Sequence, residues 1–224
     1  MARTYKLAPS ILAADFAHLA DDVAAVEPFS DHLHVDVMDG HFVPPITIGP
    51  VVVKALRKIT PLPLECHLMV DEPERQVDQF AEAGASSAVW HLESPPDPRP
   101  VLQLVRKLGM QAGLAINPET PFETAVPYLE EIDVLNVMTV NPGWAGQAFL
   151  SDMLPKIRAA REHIERAGLQ IDISVDGGVN LVTARECLDA GANVLGAATA
   201  IFGQPDAAAA AAEMKRMLTQ QPAG

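Results

Sequence analysis

The sequence predicts an α/β protein, a single-domain (β/α)8 TIM barrel that takes up residues 1–224. Short apolar runs alternate with longer amphipathic segments, and eight such pairs of about 28 residues each match the count of this barrel. Proline stands at several predicted helix starts and glycine follows several predicted ends, as is typical of helix boundaries. A doubly wound parallel sheet is the alternative that the alternation alone leaves open.

The predicted strands are the short apolar runs, and the predicted helices are the amphipathic segments between them. The strands cover residues 6–10, 33–38, 64–70, 88–91, 111–116, 134–140, 171–175 and 193–197. The helices cover residues 15–27, 50–58, 73–83, 100–108, 121–130, 154–167, 181–190 and 206–218. Three helices begin at Pro50, Pro73 and Pro121, where a missing backbone N–H is tolerated. Residues 219–224 are predicted to form a flexible tail.

Charge and composition limit the classes of partner. The chain has 16 Lys and Arg against 29 Asp and Glu, and its net charge of −13 argues against nucleic-acid and anionic-membrane partners. The longest charge-free stretch, residues 134–151, is interrupted by Asn141-Pro142-Gly143, so no membrane helix is predicted there. Cys66 and Cys187 lack metal-binding spacing and predict reduced thiols in a cytoplasmic protein.

Polar side chains stand at the ends of three predicted strands. Alternation places His34 and Asp36 on one face of the second strand, while His67 lies in the third strand and Asp176 follows the seventh. In a barrel, functional groups collect at the carboxyl ends of the strands, so these four side chains are expected to converge. Two imidazoles and two carboxylates without a thiolate predict a site for one divalent ion, which Zn, Mn, Fe or Co would suit.

The other histidines and the strand-end methionines have less specific interpretations. His91 ends the fourth strand, and we interpret it as a structural residue or as a support for a ligand rather than as a fifth ligand. No role is predicted for the histidines in helix or loop positions, which are His18, His32, His41 and His163. The inward-facing methionines either fill the core or form an apolar cap over a reacting carbon; they are Met38, Met69 and Met138.

Glycine-containing turns follow the sixth, seventh and eighth strands at residues 141–147, 176–179 and 196–199. Backbone N–H groups in such turns bind phosphate, and the loops after the last two strands of a barrel commonly do so. Residues 134–154, 171–183 and 191–204 contain no Lys or Arg. A phosphate in this region is therefore expected to depend mainly on backbone N–H groups.

Five segments carry a resemblance to a known family: LAPSILAADF at residues 7–16, HVDVMDGHFVP at 34–44, HLMV at 67–70, MTVNPG at 138–143 and VDGGV at 175–179. Together they resemble ribulose-phosphate 3-epimerases, which are phosphate-binding (β/α)8 barrels. The resemblance implies a metal-dependent epimerase that interconverts D-ribulose 5-phosphate and D-xylulose 5-phosphate. Two bases would transfer the proton at C3 through an enediolate that one divalent ion stabilises. No organic cofactor is implied, and the family forms homo-oligomers.

The resemblance also implies roles for individual residues. The metal ligands would be His34, Asp36, His67 and Asp176, with Asp36 and Asp176 also serving as the acid–base pair. The substrate would be contacted by Ser10, His67 and a cap formed by Met38, Met69 and Met138. Its phosphate would be held by the turns that contain Gly143, Gly146, Gly177, Gly178, Ala198 and Thr199.

Some positions depart from the family pattern. Ala145 and Ala198 stand where glycine is usual, Thr199 where serine is usual, and Pro45 and Ser174 replace polar residues. A related ketose phosphate, such as a hexulose 6-phosphate, therefore remains an alternative substrate. Related decarboxylases and aldolases carry an Asp-x-Lys-x-x-Asp pattern that is absent here. A catalytically silent sugar-phosphate-binding barrel is a further alternative, which loss of a ligand or acid–base residue would favour.

Overall fold

The computed structural model describes residues 3–220 and confirms the predicted barrel. Its strands are β1 (Lys6–Pro9), β2 (Leu33–Met38), β3 (Leu64–Met69), β4 (Ser87–His91), β5 (Gln111–Ile116), β6 (Val134–Met138), β7 (Asp172–Asp176) and β8 (Val194–Ala197). They form one parallel sheet in the order β1-β8-β7-β6-β5-β4-β3-β2. A bridge between Ser10 and His34 joins the two ends of this sheet. The doubly wound alternative is therefore wrong, because its sheet would stay open.

Six of the eight α-helices in the described residues lie between successive strands, and the last two follow β8. The eight are α1 (Leu19–Val26), α2 (Pro50–Leu56), α3 (Val77–Ala83), α4 (Arg99–Lys107), α5 (Leu154–Ala167), α6 (Leu181–Ala190), α7 (Thr199–Phe202) and α8 (Ala207–Thr219). The last helix includes Thr219, the first residue of the predicted tail, while residues 221–224 lie outside the described part of the chain. Within residues 3–220, no helix is both long and apolar enough to cross a membrane.

Three predicted helices differ from the observed structure. The helix predicted over residues 73–83 is divided into a 3-10 helix, Pro73–Arg75, and α3, which begins at Val77. The α-helix predicted over residues 121–130 is wrong, because the segment forms two 3-10 helices, Phe122–Thr124 and Val126–Glu131. Pro127 lacks an N–H and would clash with the preceding turn of an α-helix, which explains the break. The helix predicted from residue 15 begins later, because the Asp15 carboxylate accepts a hydrogen bond from the N–H of Ala17 and forms a local turn.

The main apolar core lies between the barrel wall and the helices. Outward-facing residues such as Val35 and Val37 on β2 and Leu68 on β3 are buried in it. Cys66 and Cys187 are free thiols in this layer, and burial raises the pKa of each to about 12. Because the outward faces supply the apolar packing, the inward faces are available for polar side chains.

Candidate active site

Four polar side chains converge at the carboxyl ends of three strands. His34 and Asp36 come from β2, His67 from β3 and Asp176 from the last position of β7. One donor atom from each lies within 4.8 Å of the others. His34 Nε2 is 3.1 Å from Asp36 Oδ1 and 3.3 Å from His67 Nδ1. The structure thus brings together all four residues that the sequence predicts as metal ligands.

The spacing of these donor atoms fits a divalent ion. A tetrahedral ion with bonds of about 2.0–2.2 Å separates its ligand atoms by about 3.3–3.6 Å. His67 Nδ1 lies 3.1 Å from Asp36 Oδ1 and 3.4 Å from Asp176 Oδ2, and Asp176 Oδ2 lies 3.7 Å from His34 Nε2. Neutral nitrogen and anionic oxygen are donors that Zn, Mn, Fe and Co accept. The four side chains could therefore hold such an ion with little rearrangement.

A buried carboxylate orients the His34 ring from behind. Glu65 Oε1 lies 2.9 Å from His34 Nδ1, and the two residues are register partners on β2 and β3. Although burial opposes ionisation, nearby His32 and His34 hold the pKa of Glu65 well below its usual value. Because an ionised carboxylate only accepts, His34 Nδ1 donates, and Nε2 of the neutral ring presents its lone pair to the cluster.

Sequence reasoning missed Glu65, although a signal was present. The alternation that turns His67 inward also turns Glu65 inward, two positions earlier on β3. The structure places its side chain 6% exposed, and an inward acid at that depth requires a partner. His32, for which no role was predicted, lies 3.7 Å from the same carboxylate oxygen of Glu65.

Opposite charges shift the pKa values inside the cluster. Burial disfavours the charged form of His34, but Asp36, Asp176 and Glu65 outweigh burial and raise its pKa well above the usual value. The pKa of His67 is also raised, because Asp176 and Asp36 outweigh the opposing effect of burial. The carboxylates therefore favour the protonated form of both imidazoles when no cation is bound, and a cation would compete with those protons.

The two aspartates direct only part of each carboxylate into the cluster. Asp36 Oδ1 faces the histidines, while Asp36 Oδ2 accepts a hydrogen bond of 2.5 Å from the hydroxyl of Ser10. Burial raises the pKa of Asp36, but His34 and His67 lower it well below its usual value. The pKa of Asp176 is also lowered, because the two histidines outweigh burial and the charge of Asp36. Ser10, predicted to contact the substrate, therefore contacts one of the predicted acid–base residues in this structure.

A cavity adjoins the cluster and is lined by both aspartates. The predicted cap also lines it, through Met38, Met69 and Met138. Phe42 and Val43 from the loop after β2 pack against the first two methionines. The cavity wall therefore combines two carboxylates with an apolar surface. Sequence reasoning did not identify further apolar lining residues, namely Leu12, Val140, Pro142 and Trp144.

The predicted phosphate turns line the same cavity, and they include Gly143, Gly146, Gly177, Gly178, Ala198 and Thr199. Gly177 and Gly178 have φ values of +110° and +66°, which side chains rarely adopt. A Cβ on Gly177 would lie 2.3 Å from Val140 Cγ2, so glycine is required there by packing as well as by backbone conformation. Within residues 3–220, the backbone N–H groups of Gly177 and Gly178 donate to no acceptor, and they are therefore available to a ligand.

The departures from the family pattern are compatible with the backbone. Ala198 has a φ of −102°, and no residue other than glycine has a positive φ in the described part of the chain. Ala145 and Ala198 therefore do not occupy the left-handed region that favours glycine. No Lys or Arg lines the cavity, as the positions of the basic residues in the sequence suggested.

His91 lies behind a predicted ligand rather than among the four donors. Its Nε2 is 2.9 Å from Nε2 of His67, on the side of that ring away from the cluster. The Phe42 ring packs over His91 with a centroid distance of 4.8 Å. This position agrees with the interpretation of His91 as a support for a ligand.

The closed barrel and the acidic and imidazole groups at the carboxyl ends of its strands define a TIM-barrel enzyme. The ribulose-phosphate 3-epimerase family pattern matches residues 6–202. The ribulose-phosphate 3-epimerase of Bacillus subtilis is 45% identical over 212 residues, which cover 94% of this chain and 98% of that protein. The chain therefore belongs to the ribulose-phosphate 3-epimerase family and is an isomerase, as the resemblance implied.

Two further comparisons concern the family and the fold, respectively. The ribulose-phosphate 3-epimerase of Mycobacterium tuberculosis is 45% identical over 210 residues, covering 94% of this chain and 91% of that protein. The crystal structure of 3-hexulose-6-phosphate synthase from Salmonella typhimurium superposes with a TM-score of 0.71. That comparison covers 96% of this chain and 99% of the other at 18% identity, so it supports the fold alone.

Proposed function

We propose that this protein interconverts D-ribulose 5-phosphate and D-xylulose 5-phosphate, and that Asp36 and Asp176 move the proton at C3. The observation that carries the proposal is the placement of these two carboxylates on the wall of one cavity. They come from β2 and β7, which are separated around the barrel by β1 and β8. Two carboxylates on different sides of a bound carbon can reach its two faces.

The reaction itself explains why two such groups are needed. A hydrogen at C3 is acidic because the adjacent ketone stabilises the negative charge left when the proton departs. Inversion requires one carboxylate to accept this proton from one face and the other to return a proton to the opposite face. One divalent ion, held by His34, Asp36, His67 and Asp176, would stabilise the charge that develops on the substrate oxygens. Zn, Mn, Fe and Co remain equally suitable for these donors.

The cap of three methionines supports the same proposal, because it limits water beside the reacting carbon. All three side chains are buried and line the cavity: Met38, Met69 and Met138. Thioethers neither accept nor donate a proton under these conditions, so proton transfer is left to the two aspartates. Ser10 would orient Asp36 through its hydrogen bond to Oδ2 and would contact the substrate beside it.

The phosphate would lie at the glycine-rich end of the cavity. It would be held by the free backbone N–H groups of Gly177 and Gly178. Two further turns would contribute, one with Gly143 and Gly146 and the other with Ala198 and Thr199. Oriented N–H groups bind an anion without a charged side chain. The net charge of −13 is therefore compatible with an anionic substrate, because recognition depends on local donors.

The proposal is tested by replacing each aspartate with asparagine. Asp36→Asn and Asp176→Asn should each reduce turnover of D-ribulose 5-phosphate by at least about 100-fold, because each removes one acid–base group. Asp189→Asn, on an exposed position of α6, is the matched control and should keep wild-type turnover. Circular dichroism and metal content should be measured for each variant. A folded, metal-loaded variant of either active-site aspartate with wild-type turnover would contradict the proposal.

A second candidate substrate is another ketose phosphate, such as a hexulose 6-phosphate. The observation that favours it is that Ala145 and Ala198 line the phosphate end of the cavity, where their methyl groups change its shape. Comparison of kcat/KM for the pentulose and hexulose phosphates decides between them. A higher value for the hexulose phosphate would replace the first proposal.

The cellular setting is also part of the proposal. We infer a cytoplasmic location, which is supported by two free, buried thiols, Cys66 and Cys187. Assembly into a homo-oligomer remains a prediction from the family, and light scattering of the purified protein would test it.

A further inference from the structure

A chain of buried side chains leads away from the candidate metal ligand His67. Its Nε2 lies 2.9 Å from Nε2 of His91, and both rings are fully buried. The ring centroids are 5.0 Å apart and the planes are inclined by only 23°, so the two nitrogens face each other nearly in the plane of the rings. Two ring nitrogens at this distance share one proton, so one ring must donate and the other must accept.

The direction of that hydrogen bond decides whether His67 can bind a cation. His67 Nδ1 faces Asp36 and Asp176, and it needs a free lone pair to act as a ligand. A neutral His67 then carries its proton on Nε2, and this N–H donates a hydrogen bond to His91 Nε2. His91 Nε2 must then present a lone pair to His67, so the proton of the His91 ring lies on Nδ1.

Glu93 lies where it can hold the proton of His91 on Nδ1. Its Oε2 is 3.4 Å from His91 Nδ1, and that nitrogen is buried and has no hydrogen-bond partner within the described part of the chain. The other carboxylate oxygen of Glu93 accepts hydrogen bonds from the N–H of Asn117, at 2.8 Å, and from the hydroxyl of Thr120. The loop after β5 therefore fixes the carboxylate beside His91.

Glu93 is ionised in this setting. Burial raises its pKa, but His91, Thr120 and Asn117 outweigh burial and lower the pKa to about 2. An ionised carboxylate can accept but cannot donate, so it favours the form of His91 that carries its proton on the facing nitrogen. His34 has a shorter version of the same arrangement, in which Glu65 accepts directly from the ligand ring.

We propose that Glu93 is a positioning residue which, through His91, keeps the proton of His67 on Nε2 and leaves His67 Nδ1 free to bind the divalent ion. This proposal rests on the metal site of the proposed function. It assigns a role to a carboxylate that neither contacts the cluster nor lines the cavity. Residues of this kind tune metal affinity by orienting the ligand and fixing its tautomer.

Glu93→Gln tests the proposal with almost no change in shape. An amide can present its N–H₂ group to His91 Nδ1, which would favour a proton on His91 Nε2 and reverse the hydrogen bond to His67. Zinc affinity, measured by competition with a chromophoric chelator, should fall about 10–100-fold. Glu119→Gln is the matched control, because it makes the same chemical change at an exposed position of the loop after β5 and leaves Glu93 and its contacts in place. The zinc affinity of this control should stay within about threefold of wild type, a smaller change than the one expected when a residue that orients a ligand is lost.

A second measurement does not depend on any variant. Long-range ¹H–¹⁵N spectra of the zinc-loaded wild-type protein should place the proton of His67 on Nε2 and that of His91 on Nδ1. A proton on His91 Nε2, or unchanged zinc affinity in a folded Glu93→Gln variant, would overturn this inference alone. Failure of the wild-type protein to bind zinc, manganese, iron or cobalt would overturn the metal site and this inference with it.

Discussion

The two ends of the cavity are built by different means. At one end, side chains from β2, β3 and β7 place two carboxylates and two imidazoles around a common point. At the other end, turns after β6, β7 and β8 present glycine backbone and no Lys or Arg. The metal end therefore depends on the identity of a few side chains, whereas the phosphate end depends on the path of the chain.

This difference explains how a protein with a net charge of −13 could accept an anionic substrate. The carboxylates of the metal end are matched by histidines with raised pKa values, so their negative charge is partly balanced. Backbone N–H groups at the phosphate end add donors without changing net charge. Variants at the two ends are therefore expected to alter different observables.

Metal removal should have the largest effect and should act on one end only. Dialysis against a chelator is expected to reduce turnover by about 100- to 1000-fold or more, because the charge developing on the substrate loses its stabilisation. Binding of inorganic phosphate, measured by calorimetry, should change little because the N–H groups proposed to bind it belong to residues that are not metal ligands. Zinc, manganese, iron or cobalt should restore turnover. Full turnover in a chelator-treated protein shown to be metal-free would contradict the metal assignment.

Substitution of Gly177 should damage the phosphate end and the fold together. Gly177→Ala forces a side chain onto a φ of +110° and against Val140, so the free energy of unfolding should fall by about 2–4 kcal/mol. Gly109→Ala is the matched control, because its φ is +80° but a Cβ there would meet nothing within 4 Å. In Gly109→Ala, the free energy of unfolding should fall by about 1–2 kcal/mol and KM should stay at the wild-type value. In Gly177→Ala, KM should rise. Urea unfolding and steady-state kinetics measure both effects, and equal losses in the two variants would refute the packing argument.

The pH dependence of stability should differ with and without metal. Asp36 and its neighbours outweigh burial and raise the pKa of His34, and this charge pairing stabilises the metal-free fold fully below the unfolded value of about 6.5. That contribution disappears as pH rises through the folded pKa, so the metal-free protein should lose stability on the alkaline side. Bound zinc should remove the loss, because it needs neutral rings and takes over the pairing. Thermal unfolding at several pH values checks this, and identical pH profiles with and without zinc would contradict it.

Ala198→Gly should have the smallest effect. Ala198 lines the phosphate end with a φ of −102°, which is outside the left-handed region that favours glycine. Restoring the family's usual glycine should change KM for the pentulose phosphate by less than about threefold. It should lower the free energy of unfolding by about 0.5–1 kcal/mol, because glycine loses more conformational freedom on folding. A tenfold or larger improvement in KM would mean that this methyl group narrows the phosphate site more than the backbone indicates.

The strand faces were the most predictable part of the molecule, because alternation on β2 fixes which side chains turn inward. His34 and Asp36 on β2, His67 on β3 and Asp176 on β7 meet as that alternation and the barrel geometry require. The α-helix predicted over residues 121–130 was wrong, because the apolar spacing there suits an α-helix but Pro127 does not permit one to continue through it.

The supports behind the ligands were harder to predict. Glu65 lies on an alternating strand face and could have been found from its inward position. Glu93 follows β4 in a loop, where periodicity gives no direction, and its position beside His91 depends on contacts with Asn117 and Thr120 from the loop after β5. Such contacts between distant segments appear only when the barrel is assembled.

The central claim is that Asp36 and Asp176 move the proton at C3, and turnover in deuterium oxide tests it most directly. Carboxylates exchange their protons with solvent, so each pentulose phosphate product formed in deuterium oxide should carry deuterium at C3. Nuclear magnetic resonance of the product at early times measures this incorporation before the reverse reaction contributes. Incorporation of solvent deuterium at C3 is the result predicted here. Product that retains the original hydrogen at C3 would contradict proton transfer between two carboxylates.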